Sequence, residues 1–224
     1  MSEQIIDNTQ TQHIPGIDAE ATPFLSVGLG LTGLALGLRP RLAPLPLALT
    51  ALTALLYRDP ERQTPTDPTT LFAGADGTIL EVNEFYEHRF LHTDALCIAT
   101  GLSPFDVPVQ RSPVSGTVTY VERVSGDYRP VNDPLATEQN TRTYIGIETA
   151  WGPLLLVQIA GPVARRIVCR VQPGDQINAG ERIGTVRFGA RLDLIVQRDS
   201  LAPLVNVGQR LTAGVTRIAH IIPL

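Results

Sequence analysis

Lysine is absent from these 224 residues, and all eighteen basic side chains are arginine. That excludes a lysyl Schiff base and any lysine-borne biotin or lipoate. Cysteine is scarce as well. Cys97 and Cys169 stand far apart in no metal-ligand spacing and read as buried free thiols, with a disulfide as the minor reading. Aromatic residues make up 5% of the chain and the formal net charge is −4. There is thus no basic, aromatic-rich footprint, and nucleic acid is not an expected partner. No Gly-rich phosphate loop or nucleotide motif occurs. The hydrophobic share, 43%, excludes wholesale disorder.

What is present divides into three stretches. Residues 1–22 are polar and aperiodic and read as a loose tail, without the positive n-region of a secretory signal. Residues 23–57 are almost free of charge: Phe24 to Leu38 is apolar and Gly-rich, Arg39-Pro-Arg41 interrupts, and Leu42 to Tyr57 is apolar again, with Pro44 and Pro46 near its start. Each half is about fifteen residues, short of the roughly 20 that span a bilayer core as a helix. Three readings are open: a tight hairpin of two short membrane helices, an interfacial segment that does not cross, or a buried helix pair in a soluble core. The lack of charge favours the membrane, with arginines at the hairpin ends. A hairpin entering and leaving on one side keeps tail and domain together, and Arg58 and Arg62 then point to the cytoplasmic side of the cell membrane.

From residue 58 to 224 the chain reads as one mainly β domain, barrel- or sandwich-like. Thr78–Val82, Leu96–Ala99, a stretch from Pro113 to Val124, Tyr144–Ile147 and Leu154–Ile159 are expected strands, the last apolar enough to be buried on both faces. Val186, Phe188, Leu192, Leu194 and Val196 alternate through Thr185–Val196, which reads as one strand with Gly189 as a bulge or close approach. Val171-Gln-Pro-Gly174-Asp-Gln-Ile-Asn-Ala179-Gly180 is echoed by Val205-Asn-Val-Gly208-Gln-Arg-Leu-Thr-Ala213-Gly214. Each copy sets glycines where a positive φ is needed, and such hairpins also occur in biotinyl- and lipoyl-type barrels.

Several motifs share an order and spacing. They are Arg58-Asp-Pro-Glu-Arg62, Ala75-Asp-Gly77, Ser103-Pro-Phe-Asp-Val107, Arg111-Ser-Pro-Val-Ser-Gly-Thr-Val118, Val157-Gln-Ile-Ala-Gly161, Ala164-Arg-Arg-Ile-Val-Cys169 and Phe188-Gly-Ala-Arg-Leu-Asp193. Together they resemble the phosphatidylserine decarboxylases of the short type over about residues 57–220. The resemblance implies a self-processing enzyme. A serine hydroxyl attacks the preceding glycine carbonyl to give an ester, β-elimination cleaves the chain, and the new N-terminus becomes a pyruvoyl group. That ketone takes the substrate amine as a Schiff base and serves as electron sink for loss of CO₂. An Asp and a His assist the cleavage, and a His directly after a Ser-Pro-Phe-Asp-Val segment serves the chemistry of decarboxylation.

Carried onto this chain, the family Asp is Asp76, the family His position is Pro108, and the Gly-Ser cleavage site is Gly189-Ala190. Alanine cannot form a pyruvoyl group and proline cannot exchange a proton, so no cofactor is expected. The expectation is a non-catalytic, membrane-associated relative that binds phospholipid or regulates its synthesis, alone, as a homo-oligomer or with an active paralogue. The alternative is a working carboxy-lyase with an external carbonyl or a shifted cleavage site, for which Gly184-Thr185 offers a hydroxyl. A third reading is a structural barrel unrelated to lipid. Asp106, Asn140, Arg142, Arg165, Arg166 and Arg191 are candidates for headgroup contact. Against these stand plain readings: Asp76 as a turn residue, Arg165-Arg166 as a solvated pair, Trp151 as a packing or interfacial aromatic. His88 and His92 have helical metal-ligand spacing but no third ligand, and no metal site is expected.

Overall fold

The computed structural model describes residues 16–131, 133, 135–163, 165–187 and 189–222. The first fifteen residues of the expected tail and Phe188 of the expected strand lie outside these. The chain divides into two compact units between Glu61 and Arg62.

The first unit is a helical hairpin. Helix α1 (Thr22–Leu38) has Pro23 in its first turn, and α2 (Pro44–Leu56) begins with a proline, where the missing N–H costs nothing. Together with a preceding turn of 3-10 helix, Ala19–Leu38 is long and apolar enough to cross a membrane, longer than the sequence pattern suggests. The expected tail ends earlier than residue 22. Gly16 and Asp18 pair with Asp59 and Tyr57 through backbone bonds of 2.8 Å each, closing the base of the hairpin. A methyl on Gly28 would stand 2.2 Å from Thr50 Oγ1, so that glycine permits a close approach of the helices. The hydroxyls of Ser26, Thr32, Thr50 and Thr53 each donate to the carbonyl four residues back, so these polar groups are satisfied within their own helix.

The second unit is mainly β. Its centre is an eight-stranded antiparallel sheet built from β2 (Gly77–Glu87), β3 (Thr93–Gly101), β5 (Gly116–Val124), β6 (Arg142–Thr149), β7 (Gly152–Ile159), β9 (Gln176–Ile177), β11 (Arg191–Gln197) and β13 (Arg210–Leu211). Their order is β13-β2-β3-β11-β7-β6-β5-β9. Two three-stranded sheets cover it. One holds β1 (Thr70–Phe72), β14 (Arg217–Ile221) and β12 (Leu201–Pro203). The other holds β4 (Val109–Arg111), β10 (Arg182–Val186) and β8 (Ile167–Cys169). Along β11 the side chains alternate. Leu192, Leu194 and Val196 enter the main core, and Ile195 enters a second cluster on the opposite face with Cys97, Leu155 and Val157. Leu154, Leu155 and Leu156 are all fully buried, as a strand covered on both faces requires, and each such side chain contributes about 1.5 to 3 kcal/mol.

The sheet order reads the same from both ends because the domain is two copies of one unit. The copy β4–β10 is continuous. The other is split into β1–β3 and β11–β14. Matching features recur throughout. The Phe72 N–H donates to the Pro113 carbonyl at 3.0 Å and the Arg111 N–H to the Gly74 carbonyl at 2.7 Å. Irregularities fall between Ile79 and Glu81 and between Val118 and Tyr120. The Gly208 N–H bonds the Ile79 carbonyl at 2.9 Å, and the Gly174 N–H bonds that of Val118 at 2.8 Å. The echo in the sequence is therefore the turn and short edge strand of a larger repeat, with β9 and β13 closing the two sheet edges.

One expectation is corrected. Thr185–Val196 is two strands, not one: β10 ends at Val186 in a covering sheet, and β11 starts at Arg191 in the central sheet. Gly189, at φ +75°, turns the chain between them, so the even spacing of apolar residues across the break is coincidental.

The two echoed turns should respond alike to substitution. Gly174→Ala and Gly208→Ala should each cost about 1 to 3 kcal/mol, because φ is +100° and +86° and nothing lies within 4 Å of the added methyl. Gly180→Ala should cost more, since its methyl would stand 1.8 Å from Thr64 Oγ1. Urea denaturation of the three variants checks the order, and equal costs would refute the packing of Thr64 there.

Candidate functional site

The registers of the central sheet align Thr78, Gly101, Arg191, Ile159, Arg142 and Val124 in one transverse row. The segments 73–77, 102–108, 125–141, 160–166 and 187–190 all leave the sheet at this row. The motif residues at 75–77, 103–107, 157–161 and 189–193 thereby meet at one rim, whereas the motif 111–118 enters β5 at the opposite end. The rim is also where the continuous copy is inserted into the split one: Gly101 pairs with Arg191, and the intervening copy leaves and returns there. The equivalent hairpin of the other copy, β6–β7, simply turns through Ala150 and Trp151.

Gly189 and Ala190 occupy the return loop. The Ala190 methyl is fully buried in the main core, and its carbonyl accepts from the Leu102 N–H at 2.8 Å. The other end of the same pair of loops is held by the Val186 N–H, which donates to the Pro108 carbonyl at 3.2 Å. Pro108 and Ala190 thus lie in two loops joined at both ends by backbone bonds, Ala190 at one of those ends and Pro108 at the other. Asp76 belongs to the neighbouring turn. Its carboxylate takes both Arg62 guanidinium nitrogens, at 2.6 and 2.8 Å, and the Ala213 N–H at 2.8 Å. In the other copy Ser115 Oγ accepts from the Ala179 N–H at 3.0 Å in the same way. These bonds make Asp76 a turn cap tied to the linker, directed at residues 62 and 213 rather than at the return loop.

Beneath the rim, on the sheet face opposite Ala190, lies a pocket of about 700 Å³. Leu155, Val157, Cys97 and Ile195 form its apolar floor, and Arg191, Asp193 and Glu81 one wall. Arg191 and Asp193 are two apart on one strand and so share a face. Arg191 Nε donates to Asp193 Oδ1 at 2.6 Å, and its Nη2 bonds the Glu81 carboxylate. The opposite wall is Arg142 and Tyr144, whose hydroxyl accepts from Arg142 Nε at 2.7 Å, with the Arg89 guanidinium 4.4 Å above the tyrosine ring. Burial pushes the Asp193 carboxyl above the ordinary aspartate range, against the pull of Arg191, and burial likewise raises the Cys97 thiol.

Of the candidate headgroup residues, Arg142 and Arg191 meet in this pocket. Asn140 does not serve a ligand. Its amide donates to the Arg129 and Ala160 carbonyls at 2.9 Å each and its oxygen accepts from the Arg129 N–H at 2.8 Å, pinning two rim loops together. Asp106 caps its own turn through the Ser103 N–H and pairs with Arg210 at 2.5 Å. Arg165 and Arg166 are exposed on the 160–166 loop, Arg165 at φ +52° and 5.5 Å above the Tyr128 ring. Sequence reasoning missed Glu81, Tyr144 and Arg62. The alternation Arg191-x-Asp193 signals a shared face, but the partner across strands follows only from register.

Because the Asp193 carboxyl is raised in the folded state, the native protein holds that proton more tightly than the unfolded chain. Its contribution to stability is present below about pH 4 and is lost as pH rises through the raised value. Asp193→Asn should remove this component: the difference in denaturation midpoint between variant and native protein is expected to shift in the variant's favour from about pH 4 to about pH 7, and a pH-independent difference would refute it.

Comparison with known proteins fits the geometry. The sequence model of the phosphatidylserine decarboxylase family matches residues 49–219. The chain is similar to proteins named phosphatidylserine decarboxylase proenzyme from several bacteria. The one from Carboxydothermus hydrogenoformans is 39% identical over 165 residues, covering 74% of this chain and 78% of the relative. That from Symbiobacterium thermophilum is 38% identical over 208 residues, 92% and 96% of the two chains. That from Mycobacterium tuberculosis is 37% identical over 212 residues, 92% and 90%. With most of the motifs meeting at one rim and similarity running through nearly the whole chain, this protein belongs to the phosphatidylserine decarboxylase family.

Proposed function

We propose that this chain is a non-catalytic, membrane-associated member of its family that binds a phospholipid headgroup rather than decarboxylating it. Ala190 carries the reading. The family's self-processing needs a hydroxyl to attack the preceding carbonyl, and a methyl buried in the core supplies none. The residues present therefore do not fit a pyruvoyl group. Pro108, in the adjoining loop, holds no proton to exchange. The pocket under the rim, lined by Arg142 and Arg191, is the site proposed for the headgroup. The long apolar stretch Ala19–Leu38 supports association with the cell membrane, and the arginines that follow the hairpin favour its cytoplasmic side. A partner in this role is a second copy or an active paralogue, regulated by lipid occupancy.

The names of the relatives favour a second reading, an active carboxy-lyase that obtains its carbonyl elsewhere. The hydroxyl nearest in sequence after a glycine, that of Thr185, lies within β10. Gly184 and Thr185 there pair with β4 on one side and β8 on the other, so cleavage at that peptide would break the middle strand of a sheet.

The intact mass of the purified chain, measured alongside carbonyl labelling, separates the two. A single full-length mass without a reactive carbonyl is expected. Two fragments, with a carbonyl at the new N-terminus, would overturn the proposal and locate the catalytic residue. Ala190→Ser restores the hydroxyl that self-cleavage needs and should yield two fragments where the native chain yields one full-length mass.

A further inference from the structure

The rim that gathers the family motifs also carries exposed apolar side chains at the tips of three separate loops. Phe105 in the 102–108 loop is 63% exposed, Val163 in the 160–166 loop 67%, and Leu135 in the 125–141 loop 44%. These loops come from different parts of the chain: Asn140 bonds the Ala160 carbonyl and Arg165 lies over the Tyr128 ring, which ties the 125–141 and 160–166 loops together, and the 102–108 loop adjoins them through β10, whose Val186 bonds the Pro108 carbonyl and pairs with Ile167. The loops are therefore held as one surface. Two residues after Val163 comes Arg165, followed by Arg166, both exposed.

At the opposite rim of the same sheet the turns at 88–92, 149–152 and 198–200 hold, among the described residues, no large apolar side chain of comparable exposure at their tips, though Phe85, 41% exposed, and Tyr86, 48%, stand at the end of β2 just before the first turn. The Tyr86 hydroxyl there donates to the His92 carbonyl at 2.8 Å. Trp151 is half-buried and packs against the main core.

We propose that the 102–108, 125–141 and 160–166 loops form the face by which the β domain seats itself on a phospholipid surface. An apolar tip beside paired arginines suits that surface. The side chain enters the headgroup–acyl boundary while the guanidiniums stay level with the phosphates, which they match by charge and by bidentate geometry. Single exposed apolar residues are ordinary on any protein, but three on loop tips at one end, beside two exposed arginines, make a surface suited to phospholipid. The seating puts the site rim, and not the Trp151 end, against the lipid. It rests on the reading of the chain as membrane-associated and adds the orientation of the domain.

The test uses the full chain in vesicles of phosphatidylcholine and phosphatidylglycerol bearing bromine on the acyl chains. In a Trp151→Phe background, Phe105→Trp and, separately, Val163→Trp place the sole tryptophan on a loop tip. Acyl-chain bromine is expected to quench the fluorescence of either by more than half, and to leave the native Trp151 emission nearly unchanged. Co-sedimentation with the vesicles without quenching at 105 and 163, or with quenching of Trp151 instead, would overturn this orientation and leave membrane association standing. Failure to co-sediment at all would overturn the membrane reading and this inference with it.

Discussion

The β domain depends on the ladder between β7 and β11. The two copies of the repeated unit meet there, with Leu156 opposite Leu194 at its middle. Both strands are interior, and both send apolar side chains into the main core on one face and a second cluster on the other. Each backbone group in that ladder is buried, so a shift of register would strand hydrogen bonds and invert both faces together. The registers that align the rim follow from this one pairing, since β3 is set by β11 and β6 by β7.

Polar groups at the rim are used unevenly. Asn140, Asp106 and Asp76 are consumed in holding loops, through partners that leave little capacity for a ligand. Arg142, Arg191, Glu81 and Asp193 face a cavity in which one guanidinium serves two carboxylates. A buried guanidinium between two carboxylates leaves an excess of negative charge in low dielectric, and this adds to the burial that raises the Asp193 carboxyl. The central sheet separates this cavity from Ala190, so the two lie on opposite faces of the sheet.

Much of this architecture is legible in the residues. The uncharged stretch with prolines at its break marks the helical hairpin, alternation marks most of the strands, and the glycine echo points to a repeat. Alternation misleads across Gly189, because apolar spacing carries no sign that a chain has changed sheets. Only the positive φ at Gly189 marks the turn, and glycine within a strand pattern stands equally at bulges and close backbone approaches. The extent of the repeat is hidden because β1–β3 and β4–β6 share little beyond Gly-Thr, while the bulges and caps that match are backbone features. Asn140 illustrates the limit for sites: a polar side chain in a family-like segment serves a ligand or a carbonyl equally well until its neighbours are known.

The insertion of one copy into a hairpin of the other has a topological consequence. The peptide between Gly189 and Ala190 lies in the connection between two sheets, not inside a strand. A chain interrupted there would keep β11 hydrogen-bonded along both edges to strands of the larger piece. Neither piece could diffuse away without stripping two ladders from the middle of an eight-stranded sheet. The architecture thus tolerates a break in its backbone at this point as a matter of connectivity alone, whether or not the side chain at residue 190 is able to make one.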